Sequence, residues 1–451
     1  MIRRHTTTAV LTSLLFVWTI LPASGQTPMV LTLKKARSLA LEHSPLLHAS
    51  EHALTIAKED IESANAGRLP TLDLHESYMN TNNPTSVFGT LLNQGRFTEN
   101  DFDVDRLVSP GSLDNYRFDL SLNQSIYQGN RTTLGIKRAR LGADVSRARV
   151  EETKQHVLYR VTEAYYDILL AKAQVKTAQE AETIARTNLR HIQSRFDAGV
   201  TVKSDVLEAA VRLSSVREAL IVAQRSVKVA RAVLQHTIGL REAVDVEGDL
   251  NLIHALSRTR ADDGMSPLES RPDYQALQGQ LDQAEVGTKL AKSSFLPSVD
   301  IQSIYERNTA GPFSNGESNY SVFAVFRLNL FSGLSDRANV RRSLAQVKRQ
   351  QQLLEAKRRE IAVEVAEARF VVEAAEERNV VTEGTVEQAE ENLRIVRNRY
   401  RSGIAPVIDL LTAEMVLNKA KLQRLNARYD LHVGLARQSL VQGQMGLTSV
   451  E

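Results

Sequence analysis

Arg195-Phe196-Asp197-Ala198-Gly199-Val200-Thr201-Val202-Lys203-Ser204-Asp205-Val206-Leu207-Glu208-Ala209 returns 204 residues later as Arg399-Tyr400-Arg401-Ser402-Gly403-Ile404-Ala405-Pro406-Val407-Ile408-Asp409-Leu410-Leu411-Thr412-Ala413. An arginine, an aromatic ring, a glycine, an aspartate, a leucine and an alanine coincide at that offset, so the chain is a duplication. Seventy residues before each of these glycines stands another, Gly129 and Gly333, and neither interval contains a proline. An unbroken helix over such an interval, at about 1.5 Å per residue, would be roughly 100 Å long. That is a rod, not a compact domain.

The rods carry a heptad seam. Val157, Val161, Ala164, Ile168, Ala171, Val175, Ala178, Ala185, Leu189, Ile192 and Phe196 follow alternating steps of four and three, with Glu182 as the polar break. The second copy repeats the register at Ile361, Val365, Ala368, Val372, Ala375, Val386, Ala389, Leu393, Val396 and Tyr400, broken by Asn379 and Thr382. A period of 3.5 residues held over many turns implies supercoiled packing against neighbouring helices, and the small residues on the seam imply close approach. Ala209, Leu213, Val216, Leu220, Ala223, Val227, Ala230 and Leu234 continue the pattern after Gly199. Each repeat therefore reads as a long helical hairpin that turns at its glycine, where a left-handed backbone is least costly.

Arg3 and Arg4 precede an apolar run from Ala9 to Leu21, and Ala23-Ser24-Gly25 offers small residues to a signal peptidase, so the mature chain is expected to begin at Gln26. The run is shorter than the roughly 20 residues a spanning helix needs, and no later run is longer. Export without a helical anchor is the expectation. The chain has no cysteine, which excludes disulfides and a lipidated N-terminal cysteine, and its one tryptophan, Trp18, falls in the signal. A net charge of +3 with 24 % charged residues describes solvated helix surfaces of mixed sign and gives no support to nucleic-acid binding. Low aromatic content, 5 %, suits packing of helix on helix.

Before each rod the period changes to 2. Tyr116, Phe118, Leu120, Leu122 and Ile126 alternate with Arg117, Asp119, Ser121, Asn123 and Ser125, leaving one apolar and one wet face, the pattern of a lipid-facing barrel strand. Leu72, Leu74 and Tyr78 after Pro70 form its partner; in the second copy Val299, Ile301 and Tyr305 after Pro297 face Tyr320, Val322, Ala324, Phe326, Leu328 and Leu330. The first hairpin is about 23 residues longer, and the excess, Pro84 to Asn115 with its glycines, prolines and Asp101, Asp103 and Asp105, reads as a surface loop. Four strands cannot close a membrane barrel, because such barrels start at eight and open edges in lipid leave peptide groups unpaired. Several copies must share one barrel, two giving eight strands and three giving twelve.

The expected division is a signal peptide at 1–25, N-terminal helices at 26–69, a β-hairpin with its loop at 70–128, a helical hairpin at 129–239 and a linker or equatorial region at 240–270. The second repeat follows with a helix at 271–296, a β-hairpin at 297–332 and a helical hairpin at 333–446, ending in a tail at 447–451. The fold class is mainly α with membrane β.

In this order and spacing the chain resembles the TolC family of outer-membrane efflux proteins. The resemblance rests on the two glycine turns, on Leu31-Thr32-Leu33-Lys34-Lys35-Ala36 with Ala40-Leu41 and Pro45, on Phe295-Leu296-Pro297 and on Ala164-Tyr165. It rests also on the junctions Ile126-Tyr127-Gln128-Gly129 and Leu330-Phe331-Ser332-Gly333. The resemblance implies a homotrimer with a twelve-stranded outer-membrane barrel continued by a helical tube through the periplasm. It further implies a periplasmic adaptor at the helical tip and, through it, an inner-membrane transporter, with no enzyme activity and no cofactor. Gate candidates carried over by motif position are Ser204, Asp205, Tyr400 and Asp409; the turns Gly199, Val200, Gly403 and Ile404 are candidates for adaptor contact. The basic residue that some relatives carry after the second tip glycine is Ala405 here, and the second constricting carboxylate is Thr412, with Arg401 or Lys203 as possible replacement charges.

Each candidate has a plainer reading. Asp205 followed by Glu208 is also an acidic helix cap, Tyr400 continues the seam, and the glycines are turn formers. His48 and His52, one turn apart, lack any metal-site pattern and read as a solvated helix face. An exported coiled-coil scaffold or adhesin stalk would account for the rods but not for the alternating hairpins, and a periplasmic enzyme would account for neither.

Overall fold

In the computed structural model, which describes residues 29–250 and 267–446, the chain runs twice through helix, strand hairpin and long helical hairpin. The first pass opens with β1 (Met29–Leu31), α1 (Leu33–His43) and α2 (Pro45–Ala66). Thr32 caps α1 by accepting from the Lys35 amide, and Pro45 occupies the first turn of α2, where a missing N–H is harmless. Strands β2 (Thr71–Thr81) and β3 (Leu113–Gln128) enclose α3 (Pro84–Asn93), a 3-10 turn at Glu99–Phe102 and α4 (Val104–Val108). Helices α5 (Arg131–Asp197) and α6 (Lys203–Ile238) and strand β4 (Val244–Val246) complete it. The second pass runs through α7 (Pro267–Ser270), α8 (Pro272–Lys292), a 3-10 turn at Ser293–Phe295, β5 (Ser298–Thr309), β6 (Ser318–Arg327), α9 (Ser335–Arg401) and α10 (Val407–Val441). The signal peptide and tail expected at 1–25 and 447–451 lie outside the described residues, as does 251–266 of the expected linker.

Rods α5 and α9 have 67 residues each, roughly 100 Å at 1.5 Å per residue. Both begin after two consecutive left-handed residues, Gly129 (φ 60°) with Asn130 (φ 64°) and Gly333 (φ 64°) with Leu334 (φ 69°). In the first repeat the chain thereby changes from strand to helix within two residues, Gln128 to Arg131, whereas in the second residues 328–334 lie between β6 and α9. Along α5 the seam is buried at Val157, Val161, Ala164, Ile168, Ala171, Ala178, Ala185 and Ile192. Its polar break, Glu182, accepts from Arg186 on the same helix and from Arg217 on α6, so the break is an ion pair between the arms of the hairpin. Mid-way along α5, Val161, Tyr165, Ile168 and Leu169 meet Ala36 and Leu39 of α1, Leu234 and Ile238 of α6, and Val244 and Val246 of β4. Strand β4 pairs in parallel with β1, a contact that a three-residue strand gives no periodicity to announce.

The four long strands form one antiparallel sheet in the order β2-β3-β5-β6. The two hairpins are thus joined through β3 and β5, with a bulge between Ser125 and Tyr127. On the apolar face Leu72, Leu74, Tyr78, Tyr305, Tyr320, Val322 and Phe326 are exposed. On the wet face Arg117 pairs with Asp119 (2.6 Å) and Glu306 (2.9 Å). Among the described residues strands β2 and β6 are edges of the sheet, each paired on one side only. No helix among the described residues is long and apolar enough to cross a membrane.

The segment expected as a surface loop between 84 and 115 is instead folded. Asn83 accepts from the Ser86 amide and starts α3 with Pro84 at its first position, so a proline that read as a breaker is a helix opener. A capping box joins Thr98 and Asp101, and Asp103 caps α4. The edges of the Phe88, Phe97 and Phe102 rings meet in series at 5.0 Å, tying α3 to the 3-10 turn.

Candidate functional site

The two glycine turns end side by side. Gly199 (φ 71°) and Gly403 (φ 75°) are left-handed, and their amides and those of Val200 and Ile404 close the last turns of α5 and α9 onto Phe196, Tyr400, Arg195 and Arg399 carbonyls. A Cβ at either glycine would meet nothing, so the backbone angle and not space calls for glycine there. Between the turns Ile192, Val206 and Ala209 of the first hairpin pack on Val407 and Leu411 of the second, with Phe196 and Tyr400 at the margin. The repeats therefore share one apolar plug at their tips.

The sequence candidates fall into different settings. Tyr400 is half-buried; Arg195 of the first hairpin lies over its ring at 5.0 Å and donates to its carbonyl oxygen at 3.4 Å. Burial raises the Tyr400 phenol above its ordinary value, opposed by the Arg195 charge. Asp205 stands in the first turn of α6, where its carboxylate accepts from the Thr201 hydroxyl. Helix α6 begins at Lys203 with Val202 as its cap residue, so Asp205 is not the cap that the sequence suggested; it faces the positive end of the helix dipole from inside the first turn. Asp409 occupies the matching place in α10 and is exposed, with no ion pair among the described residues. Ser204, Gly199, Val200, Gly403 and Ile404 are exposed. Val200 and Ile404 present 62 % and 69 % of their surfaces. Of the possible replacement charges, Lys203 sits over the Phe196 ring at 5.3 Å, and Arg401 lines a groove of about 750 Å³ with Arg195, Arg397 and Asn188.

A polar bridge about three turns above the tips escaped the sequence reading. Glu414 of α10, 7 % exposed, accepts from the Asn188 side chain of α5, with Arg397 of α9 at 3.9 Å. Burial raises this carboxyl above its ordinary value, opposed by the Asn188 hydrogen bond and by the charges of Arg397 and Arg212 of α6. All four long helices of the chain thus converge on one carboxylate. The available signal was its place among Leu410, Leu411, Ala413 and Leu417, an acid on the buried side of a helix. His48, by contrast, meets the Glu42 carbonyl and the Glu51 carboxylate on an exposed helix face.

The model of the outer membrane efflux protein family matches residues 36–240 and 266–442. The alkaline protease secretion protein AprF of Pseudomonas aeruginosa is 25 % identical over 423 residues, covering 92 % of this chain and 84 % of that protein. Among solved structures CusC superposes with a TM-score of 0.79 at 16 % identity, over 94 % of this chain and 95 % of its own. The Campylobacter jejuni CmeC outer membrane channel gives 0.77 at 15 % identity, over 98 % and 94 %. Those structures share the fold, and the family match spans both repeats from α1 to the end of α10. The chain belongs to the outer membrane efflux protein family and is an outer-membrane exit duct that reaches into the periplasm.

Proposed function

We propose that three copies of this chain close one duct: a twelve-stranded barrel in the outer membrane continued by a tube of twelve long helices. One observation carries this reading, a four-stranded sheet that exposes an apolar face while both edges, β2 and β6, lack strand partners among the described residues. Such a sheet is excluded from lipid as a monomer, because unpaired strand edges in hydrocarbon leave peptide groups unsatisfied. Joining β6 of one copy to β2 of the next removes every edge. The helical end then meets a periplasmic adaptor through the exposed turns at Gly199, Val200, Gly403 and Ile404, and an inner-membrane transporter supplies cargo through it. Asp205, Ser204, Tyr400 and Asp409 form the narrowed entrance, with no catalytic step and no cofactor. AprF, which aligns over most of the chain, is a protease secretion protein, and this favours secretion of a polypeptide over small-molecule efflux. The test is the mass of the purified protein in detergent, with circular dichroism: a trimer with dominant helix and some strand is expected. A monodisperse monomer that keeps its strand content overturns the proposal.

A further inference from the structure

The insertion between β2 and β3 is held to a definite side of the sheet. Asn115 and Asn308 belong to the wet face: Asn115 alternates with Arg117, and Asn308 pairs in register with Arg117. The Asn115 side chain donates to the Asn308 side chain at 2.8 Å. Gln94, at the end of α3 and 3 % exposed, donates to the Asn115 side chain (2.9 Å), the Asp114 carbonyl (2.9 Å) and the Thr309 carbonyl (3.2 Å). Three buried amide side chains, 2–5 % exposed, therefore pin the insertion across β3 and β5 from the wet side. A second contact follows at once: Gly95 is left-handed (φ 67°), and a Cβ there would lie 2.4 Å from the Glu317 side chain of the β5–β6 turn.

A buried network with its partners satisfied fixes geometry, and the insertion's helix caps and edge-to-face phenylalanine contacts stiffen it further. In a barrel whose apolar face meets lipid, the wet face is the interior. We infer that this insertion is a fixed constriction inside the outer mouth of the duct, limiting the size of what can leave. The inference rests on the barrel reading above. By closed symmetry each copy contributes one such wall, so the aperture is set by folded segments rather than by mobile loops.

The absence of cysteine makes the test direct. Ser121→Cys places a thiol on the wet face, and Leu122→Cys places one on the apolar face. Whole cells are treated with N-ethylmaleimide or with a large polyethylene-glycol maleimide. Two further backgrounds carry Gln94→Ala, or residues 84–112 replaced by Asn-Gly. We expect N-ethylmaleimide to label Ser121→Cys equally in all backgrounds, and the large reagent to react about tenfold faster once the insertion is unpinned or removed, as for any pore whose narrowest section is widened. Equal reaction of the large reagent with intact and unpinned insertions overturns the inference, and Gln94→Ala keeps this decisive if the deletion fails to assemble. Rapid labelling of Leu122→Cys would instead overturn the barrel reading, since lipid should shield that thiol.

Discussion

The amide of Asn188 on the first rod hydrogen-bonds at 2.5 Å to the buried carboxylate of Glu414 on the return helix of the second repeat. The contact joins residues 226 apart in sequence, so it clamps one hairpin to the other about three turns above the tips. Removing one partner would leave a buried polar group unsatisfied, which costs about 1–3 kcal/mol. Asn188→Ala should therefore loosen the tips without loss of trimer, seen as faster disulfide trapping between cysteines engineered in neighbouring hairpin ends.

Acidity should tighten the same clamp. Burial raises the Glu414 carboxyl in the folded protein, so its protonated form is the better fit to the site. The contribution is full below the unfolded value and is lost as pH rises through the raised folded value. Channel conductance in planar bilayers should accordingly increase on raising the pH across that interval, and Glu414→Gln should flatten the response. A pH profile identical in wild type and Glu414→Gln would remove Glu414 from the closed state.

The opposite sign applies where α8 meets α9. Asp273 is pushed up by burial, yet bonds from Arg271 (2.6 Å) and Lys357 (3.0 Å) outweigh this and hold it at about 2. Its stabilisation is present above the ordinary carboxylate value and is lost as pH falls toward 2, worth on the order of 2 kcal/mol. Asp273→Asn should lower the thermal midpoint at neutral pH, and the gap from wild type should close near pH 2. Arg271 retains Glu364 in that variant, so assembly should survive.

Two left-handed glycines should respond unequally to alanine. At Gly199 a Cβ meets nothing, and only the backbone penalty of about 1 kcal/mol applies. At Gly239 (φ 88°) a Cβ would lie 2.5 Å from the His43 carbonyl oxygen, so the end of α6 or of α1 must shift as well. Gly239→Ala should depress the thermal midpoint well beyond Gly199→Ala; equal losses would contradict the packing at the equator.

The carboxylates at the tip should act on ions more than on folding. Asp205 and Asp409 occupy matching first-turn places in α6 and α10. Three copies of each in a confined passage would favour cations. Asp409→Asn, alone and with Asp205→Asn, should lower cation selectivity and weaken block by multivalent cations, at about 1 kcal/mol or less of dipole stabilisation per residue. Unchanged selectivity in the double variant would leave both as helix-start residues only.

The rods, tips and strands were legible because each repeats a local pattern: paired glycines, a heptad seam and an alternation of period two. What escaped notice depends on contacts between distant segments or on elements too short to show a period. Strands β1 and β4 have three residues each, and α4 has five. Helix α3 hid behind Pro84 and Gly89, residues that ordinarily mark loops. The joining of the β-hairpins through β3 and β5, like Arg195 on Tyr400 and Asn188 on Glu414, links one repeat to the other. Duplication located Asp205 and Asp409 as equivalents, but it could not reveal contacts by which the two copies differ.

The paired left-handed residues at the foot of each rod also have a mechanical meaning. With Gly129-Asn130 as the whole connection between β3 and α5, sheet and first rod have no slack linker between them. Rod α5 is therefore a lever fixed at a stiff mounting. Over roughly 100 Å, a lean of about 5° at that mounting would carry the far end sideways by about 9 Å, so a change in aperture needs almost no local deformation anywhere along the chain.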